Sequence, residues 1–169
     1  CKKVCRKQEG YLMNILIDTA TFEDYYAVNL IVKEGQDEHS EALPHIFNKV
    51  DIVMPESYFR ELLEGTKTEI LIAKIKEEVV GFAVMELDES PSFDSLVTRK
   101  FAYMNDFGIK NSYQRNGIGK VLFEACLEWS KNKDATSLDL NVWEFNKKAI
   151  SFYESFGMET ISRKMTLHF

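Results

Sequence analysis

Residues 113–122 read YQRNGIGKVL, and the reading of this stretch decides the fold. Gly117 and Gly119 stand where a strand-like run gives way to an apolar stripe of helical period: Ile118, Val121, Leu122, Ala125 and Trp129. The amides of a helix's first turn have no partner inside the helix, and the helix dipole makes that end mildly positive. An anion can use both, and glycine lets it approach with no Cβ in the way. With Arg115 and Lys120 on either side, the turn reads as a seat for a phosphate or pyrophosphate. A tight turn with close strand–helix packing calls for the same glycines, so the stretch alone leaves both readings open. Two familiar phosphate loops do not fit. A nucleoside-triphosphate loop carries Ser or Thr after its Gly-Lys pair, and here Val121 follows Lys120. A dinucleotide fingerprint needs a third glycine where Leu122 stands.

Outward from this turn the elements alternate. NILID (14–18) is a short strand, and TFEDYYAVNLIVKE (21–34) is a helix capped by Thr21 with acids in its first turn. SEALPHIF (40–47) is a second, shorter helical candidate broken by Pro44. PESYFRELLEG (55–65) has Pro55 near its start and Gly65 past its end, the usual helix asymmetry. TEILIAKIK (68–76) and VVGFAVMEL (79–87) read as a hairpin joined around Glu77 and Glu78, without an Asn-Gly or Asp-Gly turn signal. FAYMNDFGI (101–109) is a strand, the helix from Ile118 runs to Asn132, and TSLDLNVW (136–143) alternates as a strand. NKKAISFYESFG (146–157) is a helix closed by Gly157, and ETISRKMTLHF (159–169) is a last strand or strand pair. The order predicts one α/β domain with a mixed sheet.

Composition bounds the function. At 169 residues, 45% hydrophobic and 28% charged, the chain fits one globular domain with a real core. No apolar run reaches the roughly 18 residues of a membrane span, and YLMNILI (11–17) is short and interrupted by Asn14. A cytoplasmic protein without membrane partners is expected. Residues 1–12 carry +3 of a net charge of −6; they read as an extension ahead of a domain spanning 13–169, since Met13 opens the more natural start. Seven acids and one base lie between Asp18 and Glu41. That argues against nucleic acid and for a cationic partner, the alternative being a solvated acidic helix face. Cys1, Cys5 and Cys126 make no disulfide framework, and with His39, His45 and His168 scattered no metal site is expected. Cys126 falls on the apolar side of its helix as a small core residue.

The chain resembles the GNAT superfamily of N-acetyltransferases. QRNGIGK (114–120) matches the Gln/Arg-x-x-Gly-x-Gly/Ala signature, with Gln114, Gly117 and Gly119 in the diagnostic positions. NVWEFNKKAISFYESFGM (141–158) matches a second signature of Asn, Ala, a Phe-Tyr pair and Gly after a strand. The resemblance covers about residues 13–169. It implies the GNAT (acyl-CoA N-acyltransferase) fold: a mixed, mostly antiparallel central sheet, flanking helices and a splayed strand pair.

The resemblance also implies a chemistry. Acetyl-coenzyme A would be the co-substrate, its pyrophosphate held by the backbone of Arg115, Asn116, Gly117, Ile118, Gly119 and Lys120. Its pantetheine arm would pair with Phe107, Gly108 and Ile109. Gly108 suits a close ligand approach, or equally a bulge or bend. Asn146 is expected both to cap its helix and to touch the coenzyme. Tyr153 matches the tyrosine that protonates the leaving thiolate; without the motif it would read as core between Phe152 and Phe156. Asp106 is the candidate base, with Asn105 where relatives often carry Glu. The acceptor would be a small cationic amine met by residues of about 22–60, among them Tyr25, Tyr26, His45, Phe47, Tyr58 and Phe59. A noncatalytic acyl-coenzyme A sensor is the competing reading. Family members commonly pair, and the terminal strand is placed to exchange or extend a sheet in a homodimer.

Overall fold

The computed structural model describes the backbone of residues 2–8 and 11–169 and the side chains from Asn14 onward. One sheet holds six strands in chain order: β1 (Lys2–Gln8), β2 (Tyr11–Thr19), β3 (Thr68–Ile75), β4 (Glu78–Glu89), β5 (Lys100–Ile109) and β6 (Leu138–Leu140). Every neighbouring pair is antiparallel except β5 and β6, which run parallel. The expected boundary after residue 12 falls in the β1–β2 stretch, where Cys1, Glu9 and Gly10 lie outside the described residues.

Four helices cover the two faces: α1 (Tyr25–Ala42), α2 (Glu56–Glu64), α3 (Ile118–Asn132) and α4 (Lys147–Glu154). Val28 and Ile31 of α1 and Phe59 and Leu62 of α2 pack with Ile70, Ile72, Phe82 and Val84 on one face. Val121, Leu122 and Phe123 of α3 pack with Leu71, Ala73, Ala83 and Met85 on the other, where the α4 rings Phe152 and Phe156 join them. Successive strand residues point to opposite faces, so β3 and β4, covered on both, read as continuous apolar runs.

Thr21 donates its amide to Asp24 Oδ2 at 2.9 Å, and Lys74 pairs with Asp24 at 2.9 Å. This ties the start of α1 to β3. The separate helix expected at 40–47 does not exist. α1 continues through Gly35 to Ala42 and stops two residues before Pro44, whose ring disfavours a helical residue ahead of it. The following segment folds back along α1: Gln36 Nε2 donates to the Asn48 carbonyl (3.0 Å), Lys33 Nζ to that of Val50 (3.2 Å) and the Met54 amide to Asn29 Oδ1 (3.1 Å).

The hairpin is as expected, but its turn is Lys76–Glu77, with Lys76 at φ 56°. Lysine takes the positive φ for which glycine or asparagine is the usual signal. The 136–143 strand is shorter than its alternation predicts, since only Leu138–Leu140 joins the sheet. The final expected strand is not formed: residues 158–169 lie outside any helix or strand, with Ile161, Met165, Leu167 and Phe169 exposed. His168 meets the ring of His45 edge-on, centroids 5.3 Å apart.

Gly108 has a packing reason. A Cβ there would lie 2.8 Å from the Phe82 ring and 3.1 Å from Ile31 of α1, so the protein's own side chains occupy the space. The bulge in this pairing sits between Asp106 and Met104. Gly108→Ala is therefore expected to lower stability by about 1–3 kcal/mol through overpacking, read as a lower urea midpoint with unchanged slope. An unmoved midpoint would contradict this packing.

Candidate functional site

β5 and β6 pair only from Ala102–Leu138 to Met104–Leu140. β5 runs on to Ile109, held by β4 through Phe107–Ala83, Gly108–Phe82 and Ile109–Gly81. Among the described residues no strand covers its other edge beyond Met104, the kind of edge along which an extended ligand can pair; on it the Phe107 amide donates to Asp106 Oδ1 (2.8 Å) and the Ile109 carbonyl accepts from Gln114 Nε2 (3.2 Å).

The α3 turn stands at the end of that edge. Arg115 (φ 64°) and Gly117 (φ 77°, ψ 0°) are both left-handed, and Gly117 caps α3 without any side-chain hydrogen bond. Residues of alternating hand aim successive amides into one concavity. Gln114 Nε2 donates to the Ile109 carbonyl (3.2 Å) and to Asn111 Oδ1 (2.8 Å), tying the loop to β5. Arg115 is exposed, and Lys120 lies 3.8 Å from Glu124 with both side chains half in solvent. A Cβ at Gly119 would make ordinary contacts of 3.6–3.7 Å with Phe152 and Ile109. The structure thus brings Phe107, Gly108 and Ile109 together with Gln114, Arg115, Asn116, Gly117, Ile118, Gly119 and Lys120.

α4 enters from the far side of the gap. Asn146 Oδ1 accepts the Ala149 amide at 3.0 Å, the cap that the sequence predicts. Tyr153 lies against Phe107 (centroids 6.4 Å), Phe123 (5.6 Å) and Phe152 (5.4 Å). Burial raises its phenol pKa, and the charges of Asp106 and Cys126 add to the rise. The Cys126 thiol is itself pushed up by burial to about 12, in keeping with an inert core residue.

Asp106 sits at the β5 bulge. Burial raises its carboxyl to about 6, against the opposing effect of the Phe107 amide, which donates to Oδ1 at 2.8 Å. Its charge reaches two tyrosines, Tyr153 of α4 and Tyr58 of α2. The Tyr58 phenol is raised by burial, then by Glu86, Asp106 and Glu61. Asn105 donates to Glu86 Oε2 at 2.8 Å. Glu86, Asp106 and Glu61 thus all bear electrostatically on the Tyr58 hydroxyl of α2.

The expected substrate residues do not converge. The Tyr25 hydroxyl donates to the Met54 carbonyl at 3.0 Å with its ring edge-on to Phe59, and Phe59 is fully buried. Tyr26 is 71% exposed, His45 meets His168, and Phe47 packs on His39 and Trp143. Sequence reasoning missed Glu86 and Glu61. Their only signal is an acid on an alternating strand and one on an amphipathic helix, which surface positions share. Among the described residues no His, Cys, Asp and Glu cluster could hold a metal ion, and no helix is long and apolar enough to cross a membrane.

A strand pair that parts beside an open helix start, with a tyrosine across the gap, is the layout of an acyl-coenzyme A N-acyltransferase fold. The chain belongs to the family described as Acetyltransferase (GNAT) family, whose model matches residues 32–158; it is an N-acetyltransferase, and the family uses acetyl-coenzyme A. It is 25% identical over 136 residues to the uncharacterized N-acetyltransferase YhfO of Bacillus subtilis, covering 76% of this chain and 89% of that protein. A variant of the BH1408 protein of Bacillus halodurans superposes with TM-score 0.88 at 26% identity, covering 91% and 99%. The aminoglycoside N-acetyltransferase AAC(6')-Iy, solved with CoA, shares the fold with TM-score 0.66 at 14% identity, covering 91% and 93%.

The raised Asp106 pKa has a sign that stability can report. A carboxyl at about 6 in the folded state and 3.8 as its ordinary value favours the folded state fully below about pH 4. That contribution is lost as pH rises through about 6. Asp106→Asn should therefore gain stability relative to wild type between pH 4 and pH 8 in thermal unfolding. A difference independent of pH would contradict a buried, raised carboxyl.

Proposed function

We propose that the protein transfers the acetyl group of acetyl-coenzyme A to the primary amine of a small cationic acceptor. The observation that carries this reading is the left-handed entry to α3, uncapped by any side chain, at the end of β5's open edge with Tyr153 across the gap. The amides of Arg115–Lys120 hold the pyrophosphate, with Arg115 and Lys120 adding charge. The backbone of Phe107–Ile109 pairs with the pantetheine arm, Asn146 touches the coenzyme from the start of α4, and the thioester is set between Asp106 and Tyr153.

The neutral amine attacks the thioester carbon, an N–C bond forms, and the C–S bond breaks. The nitrogen loses one proton, which Asp106 accepts directly or through water. Above about pH 6 its carboxylate is ionised and suited to this. The departing sulfur needs a proton. Burial keeps the Tyr153 phenol protonated and able to donate, stabilising charge as it develops on sulfur; the phenol is restored by the proton released from nitrogen. Glu86, Glu61 and Asp106 around Tyr58 favour an acceptor with a second positive charge. Polyamines, aminoglycosides and amino acid derivatives carry this chemistry.

Tyr153→Phe keeps the ring and its packing while removing the donor. Turnover should fall by about 10²-fold or more, with coenzyme A affinity by calorimetry within twofold of wild type. Unchanged turnover would make the tyrosine a packing residue. In a screen with labelled acetyl-coenzyme A, amines bearing a second positive charge should be acetylated in preference to neutral ones. Use of neutral or anionic amines alone would contradict the acceptor class.

A further inference from the structure

Four rings form a cluster that belongs to neither hydrophobic core: His39, Phe47, Trp143 and Phe145. Phe47 and Trp143 meet almost at right angles, centroids 5.1 Å apart. His39 lies over Phe47 at 5.3 Å and edge-on to Phe145 at 5.4 Å. All four are half-buried. These are ordinary aromatic pair distances, but the chain segments they join are far apart in sequence.

His39 is in the last turn of α1, and Phe47 is in the segment that folds back along it. α1 lies over the open part of β5: Ile31 packs at Gly108, and Glu34 Oε2 accepts the Asn111 amide at 2.7 Å. Trp143 and Phe145 lie between β6 and α4. Leu140 is the last β6 residue level with β5, opposite Met104, so Trp143 follows where the strands have parted. The rings therefore tie one bank of the gap to the other. They do so on the side of α1, the side that carries Tyr58, Glu86 and Asp106, whereas α3 and α4 cover the other face.

We propose that this ring cluster is a clasp across the acceptor entrance and that Trp143 sets the bulk of the amine admitted. The inference rests on the acetyl-transfer reading and adds to it a selection by size, separate from the selection by charge at Tyr58 and Glu86. A slender acceptor reaches the thioester beneath the rings. A bulky one must displace the Trp143 indole from Phe47.

The test uses the full chain with saturating acetyl-coenzyme A and a series of primary diamines, from unbranched alkyl to aryl-substituted. In Trp143→Ala, kcat/KM for the aryl-substituted members should rise at least tenfold relative to the unbranched ones, with coenzyme A affinity within twofold of wild type. Trp143→Leu, which keeps apolar bulk at the site, should move the profile in the same direction and serves if the alanine variant does not fold. A second readout is indole emission. Trp129 is largely buried and donates to Glu69, so it supplies a constant background. Adding an unbranched diamine to the coenzyme A complex should shift the wild-type emission and leave Trp143→Phe unmoved. An acceptor profile unchanged by both variants of an active enzyme would overturn the clasp while leaving the acetyl-transfer reading standing. So would an emission change complete with coenzyme A alone. A wild-type chain that acetylates no amine would overturn both.

Discussion

The parting of β5 from β6 after three residue pairs is the constraint on which the rest of the molecule turns. Parallel strands ordinarily continue side by side, because each further pair satisfies backbone groups on both. Here the continuation of β6 leads into α4, whose rings pack beside β5 instead. Phe107 stacks on Phe152 at 5.8 Å and meets Phe123 edge-on at 6.2 Å, while Phe123 touches Phe156 at 4.6 Å. Phe123 is fully buried. One aromatic packing thus holds α4 against β5, carries Tyr153 to the gap and, through Phe152 at Gly119, fixes the start of α3. The open strand edge, the helix start and the tyrosine are three consequences of it.

Charge is arranged less simply than the sequence implies. Three of the seven acids between Asp18 and Glu41 are ion-paired: Asp24 with Lys74, Asp37 with Lys33 and Glu41 with Lys49. The Lys33–Asp37 and Lys49–Glu41 pairs are open to solvent and add little stability and little net field, whereas Asp24 is buried. The negative charges felt by Tyr58 lie outside that run, on Glu86 of β4, Asp106 of β5 and Glu61 of α2. The charges around Tyr58 come from residues that no local charge run announces.

What was legible in the sequence follows the same division. α3 appears with the expected ends, Asn146 caps α4 as predicted, and β3 and β4 pair as a hairpin. In each, local pattern and tertiary packing agree. The layout at the gap was legible through two motifs, since both glycines and the Phe-Tyr pair stand at fixed spacings on their elements. Failures came where distant groups decide. Gly108 is required by Phe82 and Ile31, which lie far from it in sequence. Arg115 is left-handed although nothing in its side chain favours that. The helix expected over 21–34 continues past Gly35 to Ala42, because its buried face and the returning segment 48–54 hold it. The alternating tail 159–169 has strand character but pairs with no strand, and alternation cannot say whether a partner edge is in reach.

The central claim is that the carrier's diphosphate lies on the amides that open α3 and its arm along β5. Backbone amide NMR of the full chain, titrated with coenzyme A, reads this residue by residue. The account predicts the largest chemical-shift changes at 115–120 and 107–109. Changes gathered along α1 and the β3–β4 turn, with 115–120 unmoved, would contradict it.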